Sequence, residues 1–367
     1  MVDKNICRWL LDNADAPIRY RVARELLCDE ALANEIEAQL LNNDTVKKWL
    51  YNLVPDSPPR HWSMEHGSFD FCLENALLKS VQLGLHCGFP QTADAVRYYL
   101  DKIESLTPCG YYRANDGFRL GEVNFGFYSI IIANLLTLAG IENSAVRGCM
   151  LGGLDELFNF TIKGDYDIYA DEKERGALKA VPAVWSDRKF IKRALVDTHG
   201  FCYPFIYDVI GLYNLYGRVD TETDRKIDAV IGYISTDIFH KTVEDGYGIL
   251  ISGDRTYHSM GWDPKYPGWF DVAGYIENGN VPKLLFFAQY ISNYPAARKT
   301  KWFSDLLGCL DKHRTGEGRH KFPAGWLKEQ RGYAVQGSHI SFGENRKKKN
   351  WREIESTFYI QLLQKYL

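Results

Sequence analysis

The sequence contains no pair of cysteines in CxxC spacing, although it holds eight of them in 367 residues. Cys7, Cys28, Cys72, Cys87, Cys109, Cys149, Cys202 and Cys309 are scattered, several inside apolar runs. That pattern argues against a zinc ribbon and against a small disulfide-stapled module. It predicts reduced, buried thiols and a cytoplasmic protein. A large excess of either charge is also lacking: 44 basic and 47 acidic residues leave a formal net charge of -3. Nothing global therefore draws the chain to nucleic acid or to an anionic membrane. The one basic run, "RKKKN" at 346–350, reads as a solvated loop.

Long hydrophobic runs are missing. A membrane-spanning helix needs about 18 or more apolar residues in succession. The longest candidate, "FGFYSIIIANLLTLAGI", is interrupted by Ser129 and Asn134 and reads as a buried helix. The opening "MVDKNICRWLLDNADAP" carries charge too early and too often for a signal peptide. Nucleotide and hydrolase fingerprints are absent as well: no Walker A loop, GxGxxG, HExxH or GxSxG. There is no DDxxD run; the nearest cluster, "GDYDIYADE", sits between helices and reads as a loop.

What is present is helix. The segment "WLLDNADAPIRYRVARELL" reads as a helix with a sharp start, Asp15 capping it and Pro17 in its first turn. Residues 30–54 continue helically, and "VPDSPPRHW" breaks the pattern. Three further apolar segments resemble the opening one, at 68–88, 124–141 and 280–295. Each is followed by an amphipathic segment, such as "TADAVRYYLDKIESL" or "ARKTKWFSDLLGCLDKH", and "STFYIQLLQKYL" closes the chain. A helix that is apolar all round must be covered on all sides, whereas one with a polar stripe can face water. Alternating the two predicts an inner and an outer layer: an all-α fold, an (α/α) toroid or barrel, with an open solenoid as the rival. The helices of residues 1–60 would pack on a toroid of residues 61–367 as one unit. Short strand-like stretches, "YDIYA" and "YGILIS", are too scattered to build a sheet domain.

In such a barrel, polar residues on inner helices and in the loops at one mouth are the functional candidates. The segment "HGFCYPFIYDVIGLYNLYG" is apolar on nearly every face, and Asp208 interrupts it. A buried carboxylate needs a partner or takes up a proton. Asp208 is thus either a structural pair or helix cap, or a general acid in the cavity. Upstream, His199 and Cys202 offer a thiol–histidine pair, and Asp197 with His199 would hold a divalent metal only with a third ligand from elsewhere. No cofactor is otherwise evident. In "RHWSMEHGSFDFCLEN", His66 can carry protons, and Asp70 and Glu74, four apart, would share a helix face and divide acid and base roles. Asp116 is a further acid. Trp62, Tyr112, Arg119, Glu122, Tyr203, Tyr207, His258, Trp262 and Trp269 are the candidate substrate contacts. Their aromatic faces suit an apolar or cationic ligand, or simply pack loops over the core.

Three segments carry a resemblance. They are "WLLDNADAPIRYRVARELL", "YPFIYDVIGLYNL" with its Tyr207–Asp208 pair, and "NWREIESTFYIQLLQKYL", where Trp351 and Arg352 are inverted and Thr357 is kept. Together with the layered helix pairs they resemble a bacterial prenyltransferase-like or squalene-cyclase-like family. The resemblance implies the α/α toroid of terpenoid cyclases and protein prenyltransferase β subunits. The Asp-x-Asp-Asp acid motif of squalene-type cyclases has no match here. The expectation is an enzyme that acts by acid–base chemistry on a small, largely apolar, isoprenoid-like substrate. A carbohydrate-processing α/α barrel, using Asp116, Glu122, Asp263 and Asp271, is one alternative. A non-enzymatic binding or scaffold protein is the other.

Overall fold

The computed structural model describes residues 2–54, 65–105, 131–192, 195, 203–253 and 256–367. Over these residues the fold is all-α, with many short helices packed on one another and a single β-hairpin. No described helix is long and apolar enough to cross a membrane. Two compact units can be distinguished. One is drawn from Met1–Tyr99, Ala139–Ile141 and Pro267–Leu367, the other from Leu100–Leu138 and Glu142–Tyr266.

The first unit opens with helix Lys4–Asn13. Asp3 caps it, its Oδ1 accepting from Asn5 N at 2.8 Å and Ile6 N at 3.3 Å. The chain turns at Ala14, and the helix expected to start at Asp15 and Pro17 runs over Ala16–Arg21 and passes into a π-type turn, Val22–Leu26. Asp15 precedes the restart, with proline in the first turn, but its side chain makes no cap bond. Its carboxylate instead accepts from Asn345 N at 2.7 Å and pairs with Lys348 at 2.8 Å. Lys348 also meets Glu344 at 2.7 Å, and Arg346 meets the buried Glu355 at 3.0 Å. The "RKKKN" run is therefore not simply solvated; two of its cations tie loop to helix. Helices Glu30–Asn42 and Asp44–Leu53 follow as expected, each with an acid or amide at its N-cap. Helix Leu73–Gln82 is shorter than the apolar stretch around it, because residues 65–72 form turns. Helices Val272–Asn278, Val281–Ile291, Lys301–Asp311 and Trp351–Gln364 complete this unit.

The second unit contains a helix over 131–138, the long helix Ser144–Thr161, Ile206–Leu212 and Thr221–Ile234. Its hairpin pairs strand Tyr247–Gly253 with Thr256–Trp262, antiparallel. "YGILIS" is thus a true strand, and its partner "TYHSMGW" had no strand signal strong enough to separate it from a loop. Single bridges tie Tyr169 of "YDIYA" to Ile191, and Ile191 to Leu250. A small apolar cluster of Phe190, Ile249 and Ile251 forms under them, flanked by Trp185 and Tyr257. It remains a hairpin with satellites, not a sheet domain.

Burial separates the helices as their hydrophobicity does. Every residue of 131–138 and of Ile206–Leu212 is buried, and so is nearly all of Leu73–Gln82 and Val281–Ile291. Thr221–Ile234 and Lys301–Asp311 bury one stripe only. An apolar surface removed from water stabilises by about 25 cal/mol per Å², so covering both faces of a helix favours burial only where both faces are apolar.

Gly148 is an exposed interior position of helix Ser144–Thr161, and a Cβ placed there meets nothing within 4 Å. Gly148→Ala should raise the unfolding free energy by about 0.5–1 kcal/mol, through lower backbone entropy in the unfolded chain. Urea denaturation measures it, and a lower midpoint with unchanged slope would contradict it.

Candidate functional site

Asp208 lies in the first turn of helix Ile206–Leu212 and is fully buried. Its Oδ2 accepts from the backbone amide of Phe205 at 2.7 Å, and its Oδ1 accepts from Asn134 Nδ2 at 3.3 Å. One orphan donor of the helix start is satisfied this way, and negative charge there suits the helix dipole. Asn134 comes from the helix 131–138 packed alongside. That packing is close: a Cβ at Gly211 would sit 1.9 Å from Asn134 Oδ1. These bonds are those of a helix cap, the structural alternative. Tyr207 is wholly buried beside Asp208, and Tyr203 packs among Phe160, Phe205 and Phe239, its ring stacked on Phe239 at 6.1 Å.

Other acids have backbone partners as well. Asp263 Oδ2 accepts from Gly246 N at 2.6 Å and its Oδ1 from Lys265 N at 2.8 Å. Asp271 caps helix Val272–Asn278, accepting from Gly274 N at 2.9 Å. Trp262 ends the second strand, its ring edge-on to Tyr247 at 5.7 Å, and Trp269 is half-buried. His258 takes its place in that strand opposite Leu250. Trp62, Tyr112, Asp116, Arg119, Glu122, Asp197, His199 and Cys202 lie outside the described residues.

The richest polar arrangement belongs to helix Leu73–Gln82. Asp70 and Glu74 do not share its face, because Asp70 stands in the turn before the helix begins. They face different partners. Glu74, fully buried, has Oε2 2.6 Å from His66 Nδ1. A carboxylate accepts, so Nδ1 carries the hydrogen of this contact. His66 keeps 23% of its side chain exposed, so it bridges a buried acid and the surface. The Tyr333 ring lies 5.2 Å from the imidazole. Burial, followed by the charge of Glu74, pushes the Tyr333 phenol above its ordinary pKa. Phe69 stacks on Phe71 at 5.3 Å and leaves over half its surface in solvent.

Asp70 turns the other way. It accepts from Lys48 at 3.2 Å and stands 3.7 Å from His339 Nε2. His339 packs edge-on against Trp49 at 4.8 Å. Its backbone is in the left-handed region, φ 59°, which costs a non-glycine residue about 1–2 kcal/mol. Lys79 explains how that conformation is held. Its Nζ donates to the carbonyl of His339 at 2.6 Å, to the carbonyl of Ser341, to Ser341 Oγ at 3.2 Å and to Glu329 at 3.4 Å. One turn earlier, Asn75 Nδ2 donates to the carbonyls of Phe69 at 2.9 Å and Gly332 at 3.0 Å, while its Oδ1 accepts from Ala334 N at 2.8 Å. One turn later, Gln82 donates to Ile340 O at 2.7 Å. Positions 75, 79 and 82 fall on one helix face. Glu329 and Glu355 hold the same strap by its amides, at Ser341 N (2.6 Å) and Phe342 N (3.1 Å).

Burial lowers the Lys79 pKa; at Glu329 burial is the largest influence, but the Lys79 charge, the Ser341 hydrogen bonds and His339 together outweigh it and hold that carboxyl at about 2. Glu355 behaves oppositely. Burial pushes it up to about 7 despite Arg346 and Lys79. Among the described residues, no three His, Cys, Asp or Glu side chains converge as a metal-binding set. Compared with known proteins, the chain matches no family model, no curated protein and no solved structure.

Two outcomes follow for this network. Lys79→Met keeps the length but leaves the His339 and Ser341 carbonyls without their donor. It should destabilise by about 1–3 kcal/mol, as leaving a buried acceptor without its donor does. A variant with wild-type denaturation would rule out the clamp. Glu355 has a folded pKa raised from 4.5 to about 7, so its contribution is full below pH 4.5 and is lost as pH rises through 7. The stability of Glu355→Gln relative to wild type should therefore improve between pH 5 and 8. A difference that is flat with pH would refute the shift.

Proposed function

We propose that the protein is an enzyme acting by acid–base chemistry on a small, largely apolar, isoprenoid-like substrate, with His66 as the proton carrier and Glu74 as the group that orients it. The observation that carries this reading is the 2.6 Å contact between His66 Nδ1 and the fully buried Glu74 carboxylate. A buried carboxylate on one ring nitrogen fixes the tautomer and stabilises the imidazolium formed when the other nitrogen takes a proton. Helix Leu73–Gln82 supplies Glu74, and the Asn75 and Lys79 clamps hold that helix against residues 332–341. The chemistry thus sits on a rigid element.

The apolar substrate class is supported by the aromatic surroundings. Tyr333 lies beside the imidazole, and Phe69, three residues from His66, offers an exposed ring. Aromatic faces attract developing positive charge, as in reactions that pass through carbocations. In such a reaction His66 Nε2 would take the proton that leaves a carbon next to the cation. The alternation of fully buried and half-buried helices supports reading the helical pairs as an α/α toroid of the cyclase and prenyltransferase type. The sugar-processing alternative loses support, since Asp263 and Asp271 are both engaged by backbone amides.

The test is turnover of a panel of isoprenoid alcohols, diphosphates and polyenes followed by gas chromatography–mass spectrometry. Wild-type protein should convert at least one member. His66→Ala should lower kcat by about 100-fold or more, the usual share of a positioned acid–base group, and Glu74→Gln by a smaller factor. Both variants should keep the wild-type circular dichroism. No turnover by wild type, or equal turnover by His66→Ala, would refute the proposal.

A further inference from the structure

The first unit carries a pocket of about 460 Å³ in which none of the acid–base groups takes part. Its volume falls within the range of small-ligand sites, about 300–1,000 Å³. The start of helix Val281–Ile291 and the short 3-10 turn Ala324–Leu327 both line it.

The helix start is a fixed wall. Pro282 sits in the first turn, and Asn280 caps it, its Oδ1 accepting from Lys283 N at 3.3 Å. Asn280 Nδ2 donates to Gln336 O at 2.9 Å, which pins the same amide from the other side. Gly337, at φ 86°, approaches so closely that a Cβ there would lie 2.2 Å from Lys283 N. Gly279 is as tight, since its Cβ would lie 2.6 Å from Tyr275 O. Ile276, Val281 and Pro282 make this wall apolar.

Trp326 supplies an aromatic surface. Its indole is half-buried and braced by two rings, edge-on to His313 at 4.6 Å and tilted against Phe322 at 5.3 Å. Gln330 also lines the pocket, is exposed, and has a side chain with no hydrogen bond to a described residue. A side-chain amide both donates and accepts, and Asn280 Nδ2 keeps a second hydrogen besides the one given to Gln336. No described lining residue is charged. A phosphate, carboxylate or ammonium group would lose water there without meeting a counter-charge, so the pocket suits a neutral ligand. The ligand must also join an apolar face to groups that donate and accept. A pyranose does so: its axial C–H groups form flat apolar faces, and its hydroxyls ring the edge.

We propose that this pocket binds a neutral pyranose sugar, its C–H face against the Trp326 indole and separate hydroxyls hydrogen-bonded to the Gln330 and Asn280 amides. Glycoside hydrolysis needs a pair of carboxyl groups, and no described lining residue has one. The site therefore holds sugar without cleaving it, and it is independent of the acid–base reading.

The probe is methyl β-D-glucopyranoside, whose ring substituents are all equatorial and leave C–H groups on both faces. It is titrated into the full chain and followed by calorimetry and saturation-transfer NMR. One-to-one binding is expected, with more saturation at ring C–H protons than at the methyl group. Three comparators should each bind about tenfold more weakly: cyclohexanol, which lacks the ring of hydroxyls, glucose 6-phosphate, which adds charge, and adenosine, a flat stacking ligand. Trp326→Ala should weaken binding about tenfold or more, and Gln330→Ala, at an exposed position, about threefold to tenfold. A Cβ at Gly325 meets nothing within 4 Å, so Gly325→Leu can fill the pocket and should abolish binding. Gln330→Ala and Gly325→Leu should keep the wild-type circular dichroism, and His66→Ala should bind as wild type does. No glucoside binding, a comparator that binds as tightly, or binding that survives Trp326→Ala or Gly325→Leu would overturn the proposal.

Discussion

The burial of one ammonium group organises the candidate site. Lys79 has lost nearly all contact with solvent, and removing an ammonium from water costs several kcal/mol. Two backbone carbonyls, a hydroxyl and the Glu329 carboxylate offset that cost. To provide those carbonyls, the strap from 339 to 341 must curl around the lysine, and His339 enters the left-handed region to do so. The strain is tolerable because Gln82, Glu329 and Glu355 hold the neighbouring backbone groups as well. The same helix carries Asn75 and Glu74 one turn earlier. The rigidity that the clamp imposes on that helix is therefore the rigidity available to His66.

The carboxylates divide by what they face. Asp208, Asp263 and Asp271 accept from backbone amides, and each thereby fixes a helix start or a turn. A carboxylate so engaged stabilises local structure. Glu74 and Asp311 face imidazoles instead. A histidine changes charge near neutral pH, so an acid paired with it can govern proton movement. The two pairs differ in setting. His66 is the more open member over a fully buried acid, while His320 is buried and its acid is exposed.

Much of the helical framework was legible from the hydrophobic pattern. The segments 280–295 and 350–367 formed helices close to where periodicity placed them, and helices Leu73–Gln82, Ile206–Leu212 and Val281–Ile291 are buried on nearly every face, whereas the opening helix Lys4–Asn13 buries only Cys7 and Leu10. The helix start at Ala16 was legible from Asp15 and Pro17, whereas the separate helix Lys4–Asn13 before it was not. The strand 256–262 was hidden because it pairs with a neighbour and not with a pattern of its own. At the site, His66 and Glu74 were visible as residues near a helix start, but their pairing was not. Asp70 and Glu74 were expected to share a face because helix was assumed one turn too early. Lys79 was missed altogether. Its signal was a lone cation in an apolar helix, in phase with Asn75 and Gln82.

By itself the sequence determined which segments are helical and which of them must be covered, because periodicity and composition act within a few residues. It also showed an acid, Asp208, within an otherwise apolar segment, and the structure put that acid in the first turn of helix Ile206–Leu212. The tertiary structure alone decided what each buried polar group meets. Lys79 finds its acceptors some 250 residues further along the chain, and so does Asn75. A buried charge is satisfied by whatever packing brings within about 3 Å, and that distance in space has no counterpart in sequence separation.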